Sequence, residues 1–188
     1  MSKFLMAAAL AGSAGLASAQ SFSFNADIEN FGDPAANVFS VDFNLPAIDS
    51  IDSIEIELAH SWSNDLDLVL TGPGGEIFDI TSDNGVSVNL GDGGSLLTGV
   101  ALYTFVEAAG NGSWADFGFD VDAPGGTYDA ETWVSGPFGG GLWNITLDDD
   151  ANGDDGAVGR VTINYTIPAP ASAALLGLGG LAAARRRR

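Results

Sequence analysis

The sequence predicts an all-β protein: a single antiparallel jelly-roll or β-sandwich domain, flanked by an apolar segment at each end of the chain. Three observations carry that expectation. Apolar residues recur at every second position in several short runs, so one set of side chains turns inward and the other outward, as half-buried strands require. Gly, Asp and Asn crowd between those runs, with 26 glycines in 188 residues, as tight turns require. Nowhere do apolar residues repeat convincingly at helical spacing.

In chain order, Met1-Ser2-Lys3 is a short positive start, residues 4–16 are apolar and small, and Ala17-Ser18-Ala19 is an A-x-A cleavage site. This is the pattern of a secretory signal peptide over residues 1–19, with the mature chain beginning near Gln20. The body is then expected over 20–167, with its first strand at residue 38. Phe39, Val41, Phe43 and Leu45 share one face of that strand. Ile54, Ile56, Leu58 and His60 alternate with Ser53, Glu55, Glu57 and Ala59, and Leu66, Leu68 and Leu70 alternate with Asp65, Asp67 and Val69. Thr71-Gly72-Pro73-Gly74-Gly75 reads as a turn into a partner strand at 76–81. Further strands are expected at 86–90, 101–106, 142–147 and 161–167, where Val161, Ile163, Tyr165 and Ile167 alternate with Thr162, Asn164 and Thr166. Residues 110–138 mix Gly, Asp and aromatics and read as a long loop with one short strand at most. Several short strands at such spacing fit a sandwich or jelly roll.

Charge narrows the partners. The formal net charge is -19, and of the six basic residues only Arg160 lies in the body; Lys3 is in the leader and Arg185, Arg186, Arg187 and Arg188 end the chain. So acidic a surface repels phosphate backbones and anionic lipid, which argues against nucleic acid and favours divalent cations or cationic polymers. High acidity also keeps an exported protein soluble with no specific ligand at all. With no cysteine, the fold must hold by its core, helped at most by a metal.

Few residues offer chemistry. Asp148, Asp150, Asn152 and Gly153 match the first half of a D-x-D-x-N-G calcium loop, in which alternate oxygens fold round a hard cation, with Asp154 beside them. Gly159 stands at the twelfth position, where a bidentate Glu is expected, and both flanks are strands; a strand-flanked Ca2+ turn and a solvated Asp/Gly hairpin therefore remain the two readings. His60 is the sole histidine. Its inward parity points to a packed structural role, and Ser61, its neighbour, points to the opposite face, so no Ser-His nucleophile is expected there. Among the tryptophans, Trp143 shares parity with Ile145 and Leu147 and reads as core, while Trp114 and Trp133 in the irregular stretch are the better candidates for stacking on sugars. Asn111, Asn144 and Asn164 head formal glycosylation sequons, the last two inside expected strands.

Two stretches combine into a more specific pattern. His60-Ser61-Trp62, Asp65-Leu66, Leu70, Pro73 and Gly75, followed by Gly141, Trp143, Leu147, Asp149, Gly153-Asp154 and Gly156, resemble the opening and closing motifs of the P domain (P/Homo B domain) of proprotein convertases and bacterial subtilisin-like proteases. Tyr103-Thr104-Phe105 fits the strand between them, and Val161 stands where that family often has tryptophan. The resemblance implies a β-barrel or jelly-roll sandwich. It also implies that His60, Trp62, Asp65, Trp143, Asp149, Gly153 and Gly156 are structural signature residues, with Asp149 and Asp154 shaping the last turn. In that family the domain follows and stabilises a subtilisin-type catalytic domain. Here only a short stretch precedes the first expected strand, so the resemblance implies a supporting or binding role without peptidase activity.

Residues 168–188 resemble the PEP-CTERM sorting signal of Gram-negative bacteria: Pro168-Ala169-Pro170, an apolar segment, and the arginines 185–188, although the central Glu is lacking. The resemblance implies processing near Pro168 and Pro170 by an exosortase-type enzyme. The apolar segment of roughly 14 residues spans about 21 Å as a helix, short of a ~30 Å hydrocarbon core, with the arginines held on the cytoplasmic side. A permanent anchor is the alternative. The expected function is thus a non-catalytic cell-surface or matrix module that binds extracellular polysaccharide or protein. The alternatives are an accessory domain for a separately encoded surface protease and, further off, a glycan-active enzyme.

Overall fold

Two sheets stack face to face, and each strand that shows period-two alternation contributes its apolar parity to the layer between them. The computed structural model describes residues 17–32, 38–82, 88–91, 99–119, 121–151 and 153–169; of residues 27–32, 115 and 155 it describes only the backbone. Ala19–Ile167 form one compact unit. Most of the expected signal peptide and the sorting segment from Pro170 to its terminal arginines lie outside the described residues. Among the described residues no helix is long and apolar enough to cross a membrane.

The strands are β1 (Ser18–Gly32), β2 (Phe39–Leu45), β3 (Ser50–His60), β4 (Leu66–Thr71), β5 (Ile77–Thr81), β6 (Asn89–Leu90), β7 (Ala101–Val106), β8 (Asp122–Ala123), β9 (Gly126–Asp129), β10 (Gly141–Asp149) and β11 (Asp155–Ile167). One sheet runs β2-β10-β4-β5, antiparallel throughout. The other runs β1-β11-β3, after which two short strands sit in tandem along the far edge of β3. There β7 pairs with Ile54–Leu58 and β6 with His60 alone.

The fold class is that of the sequence reading, with three corrections. The sheet is not purely antiparallel, since β6 pairs with β8 and β7 with β9 in parallel. The body gains a strand before residue 38: in β1, Phe22 and Phe24 are half-buried and Phe22 stacks on Phe43 of the other sheet at 5.0 Å. Finally, 110–138 is more ordered than a loop, holding a 3-10 turn at Trp114–Asp116 and both β8 and β9. Of the expected strand at 86–90 the structure describes Asn89–Leu90 as extended, and residues 83–87 lie outside the described set.

The core lies between the sheets. From one sheet come Phe43, Trp143, Ile145, Leu147, Leu68, Leu70 and Phe78; from the other come Ile54, Ile56, Leu58, Tyr103, Val161 and Ile163, all buried. At about 1.5–3 kcal/mol per fully buried large apolar side chain, this layer is the main stabilising term in a chain without disulfides. Phe138 and Phe78 pack on Trp143 with ring centroids 5.5 and 6.2 Å away. Tyr103 ties the tandem strands together: its hydroxyl accepts the Gly91 N–H and donates to the Ala123 carbonyl, each at 2.8 Å. Gly91 has φ +85, and a Cβ there would meet the Gly99 carbonyl oxygen at 2.7 Å, so only glycine fits this turn. A register shift between Val158 and Val161 marks a bulge in β11 and sets Arg160 beside Glu57, which accepts from its guanidinium at 2.6 Å.

Candidate functional site

The residues singled out by the paired motifs converge at one end of the sandwich. β3 ends at His60 and β10 ends at Asp149, and the turns that follow them lie together. Trp62 leads into a 3-10 turn at Ser63–Asp65. The Asp65 carbonyl accepts the Asp150 N–H at 3.0 Å, joining that turn to the link between β10 and β11. The Ser61 hydroxyl donates to Asp154 at 2.8 Å, across the same gap. Ser63, fully buried, exchanges hydrogen bonds with Val88, donating its N–H to the Val88 carbonyl and accepting the Val88 N–H on Oγ.

Beneath these turns lies a buried His–Asp contact that links the two sheets. His60 and Asp149 are both 0 % exposed, and His60 Nε2 lies 3.5 Å from Asp149 Oδ2. The tautomer follows from the other ring nitrogen. His60 Nδ1 accepts the Trp62 N–H at 3.1 Å, so the neutral ring carries its proton on Nε2, the atom that faces the carboxylate. Burial pushes the imidazole down to about 4, against a smaller upward pull from the charge of Asp154. Burial likewise pushes the Asp149 carboxyl up to about 6; the Ala151 N–H it accepts pulls it down, while Asp154, Asp65 and Asp150 repel its charge. At neutral pH the pair is therefore neutral imidazole and carboxylate.

This placement gives His60 a packed role and takes it out of reach of a substrate. Ser61 points away from the imidazole, to Asp154. Trp143 is fully buried, in line with its parity. Trp114 is corrected: it is 3 % exposed, packed edge-on to Tyr103 and Phe105, and offers no open ring face for a sugar. Trp133 is half-buried and forms an edge-on pair with Phe78. Trp114 sits in a 3-10 turn that has no periodicity to betray its burial.

The open aromatic surface is elsewhere. Phe119, at 70 %, is the most exposed large apolar side chain among the described residues, and its ring lies 5.2 Å from that of the half-buried Trp62, edge to face. Sequence reasoning missed Phe119 because it falls between elements, where no alternation assigns a face.

The calcium-loop residues divide. Asp148 belongs to the outward parity of β10, directly opposite Asp67 on β4. Asp149, its neighbour, turns inward to His60. Asp150 and Gly153 are exposed, Asp154 is engaged by Ser61, and Asn152 lies outside the described residues. Among the described residues no group of three or more His, Cys, Asp or Glu side chains is placed to hold a metal ion. Gly156, on β11, is buried and pairs with His60. Of the residues expected to mark processing, Ala19 lies within β1 and Pro168 is exposed just past β11, while Pro170 and the arginines are outside the described set. The sequon residues Asn144 and Asn164 spend their amides on cross-strand bonds, Asn144 to Ser40 and Asp42 and Asn164 to Ser53 and Glu55.

No protein-family model matches the chain, and no curated protein matches it.

Proposed function

We propose that the protein is an exported, non-catalytic binding module of the cell surface or extracellular matrix, built on a P/Homo B-like sandwich. The observation that best supports this reading is the division of roles at the acidic end. The one histidine, the natural general base, is wholly buried with Nδ1 occupied by a backbone N–H, whereas a proton-transfer group must reach its substrate. What faces outward instead is an aromatic pair set among carboxylates, the composition of a contact surface. The leader and tail supply the route: signal cleavage after Ala19, and exosortase-type processing near Pro168 and Pro170 while the apolar segment is held at the membrane.

Capture of the tagged protein from the cell exterior, with analysis of what comes with it, tests this reading. Extracellular polysaccharide or a non-protease protein at stoichiometric amounts is the expected result. A stoichiometric subtilisin-like protease would favour the accessory role. Hydrolysis of peptides or glycans by the purified protein, abolished by one carboxylate substitution, would overturn the non-catalytic reading.

A further inference from the structure

We infer that the Trp62–Phe119 pair is a docking platform for a cationic polypeptide segment, whose arginine or lysine side chains stack on the open ring while the surrounding carboxylates neutralise them. This rests on the reading of the protein as a binding module and gives that module its contact site and the chemistry of its partner.

Three observations converge on it. First, Phe119 is 70 % exposed whereas every other ring among the described side chains is buried or half-buried, and Trp62 braces it edge-on at 5.2 Å. An aromatic ring held in place by a neighbour presents a fixed negative π face at little further entropic cost. Second, the rim is acidic. Asp65 closes the turn that Trp62 opens, and Asp150 is tied to Asp65 through its backbone. Asp154 is tied to Ser61, and Asp122 follows Phe119 by three residues and accepts from Asn89. Asp122 and Asp150 are exposed, and Asp65 and Asp154 partly so.

Third, the described residues bring little positive charge to set against it. The sole lysine or arginine among them is Arg160, and its guanidinium is engaged by Glu57. The imidazole below the platform is neutral at physiological pH.

An exposed ring with carboxylates on the turns beside it selects its occupant by charge. A cation within about 6 Å of the ring centroid gains from the quadrupole, and the carboxylates add Coulombic attraction that is screened at distance. A second copy of this chain would bring the same negative rim to the contact, and an anionic polymer or lipid surface would be repelled. A neutral glycan would stack on the ring but gain nothing from the rim. Charge complementarity calls for a cationic occupant, and the open ring adds the cation–π contact that Arg or Lys of a polypeptide makes. Arginine is favoured, because its planar, weakly hydrated guanidinium can lie on the ring while its N–H fork donates to a carboxylate at the edge.

The test is a titration of the full chain, in mild detergent at about 0.15 M salt where the Debye length is about 8 Å, with a fluorescent eight-residue peptide of alternating arginine and glycine. Phe119→Ala should weaken binding about two- to fivefold, the size of one cation–π contact at an exposed site. Phe119→Trp should bind at least as tightly as the unaltered protein. Leu142→Ala, which removes an equally open apolar side chain from the far end of β10, should change nothing. Circular dichroism checks that each variant remains folded.

Equal affinity for Phe119→Ala and the unaltered protein would overturn the inference, leaving only diffuse polyanion attraction. So would full affinity in Phe119→Leu, or Phe119-dependent binding of a neutral β-glucan hexasaccharide without binding of the peptide. The two levels separate cleanly. If capture from the cell exterior returns no partner while the peptide titration depends on Phe119, the platform stands and the module reading fails. If a partner is captured and Phe119→Ala retains it in full, the platform alone fails.

Discussion

His60 Nε2 and Asp149 Oδ2 face each other at 3.5 Å across the two sheets, both fully buried, with the Trp62 N–H fixing the imidazole tautomer. The two groups respond to acid in opposite senses. The imidazole is held at about 4 in the fold, so between its unfolded value of 6.5 and about 4 the unfolded chain takes up a proton that the folded chain does not. Stability from this group therefore falls as pH falls through that window. The Asp149 carboxyl is raised to about 6, so between about 6 and its unfolded value of 3.8 the folded chain takes up the proton first, and stability from this group rises as pH falls. In the unaltered protein the two slopes oppose each other. Asp149→Asn leaves the histidine term unopposed, so its stability should decline as pH falls from 6.5 towards 4, and below about pH 6 more steeply than that of the unaltered protein. His60→Asn should show the reverse slope. Urea titrations at half-unit pH steps measure both. Parallel pH profiles for all three proteins would contradict the assignment.

Much of this arrangement was legible beforehand. The parity that puts Ile54, Ile56 and Leu58 in the core carries His60 with them, and the parity of Trp143, Ile145 and Leu147 continues to Asp149. What alternation cannot show is that the two inward ends meet, because that depends on how the sheets stack. β1 carries alternation too, with Phe22 and Phe24 against Ser21 and Ser23, but it abuts the expected leader and reads as part of the approach to the domain. Trp114, β8 and β9 were illegible for a different reason: each places only one or two residues in the core, too few to set a period. Phe119 belongs to no element at all. The site's framework was therefore readable, and its exposed contact surface was not.

Tyr103→Phe tests the tether between the tandem strands. The lost hydroxyl leaves the Gly91 N–H and the Ala123 carbonyl without their shared partner, and a buried group left unsatisfied costs about 1–3 kcal/mol. Chemical denaturation should show a loss of that order with little change in the slope against denaturant. A neutral substitution would mean that these strands hold together by packing alone.

Trp143 should be sensitive to volume and insensitive to its indole N–H. The side chain is fully buried against Phe78 and Phe138, and its Nε1 has no hydrogen-bond partner among the described residues. Trp143→Ala should cost about 3–5 kcal/mol. Trp143→Phe sacrifices no hydrogen bond and should cost clearly less. Equal losses in the two variants, read from the same denaturation curves, would indicate a polar role for the indole.

Calcium should act weakly if it acts at all, because Asp148 and Asp149 point to opposite faces and Asp154 is engaged by Ser61. A site occupied at ten times its Kd would add about 1.4 kcal/mol, from RT ln 11. We expect a rise in Tm no larger than this implies at millimolar Ca2+. A much larger rise, removed by Asp150→Ala but unaffected by Asp116→Ala, would establish a true calcium cage.

The claim on which the account turns is export: a cleaved leader, a sandwich delivered outside and a tail processed at its proline pair. The intact mass of the protein recovered from the cell exterior tests it most directly. The account predicts a chain that starts at Gln20 and ends within residues 168–170, plus the mass of any attached group. Recovery of the uncleaved 19.2 kDa chain, retained inside the cell, would contradict it.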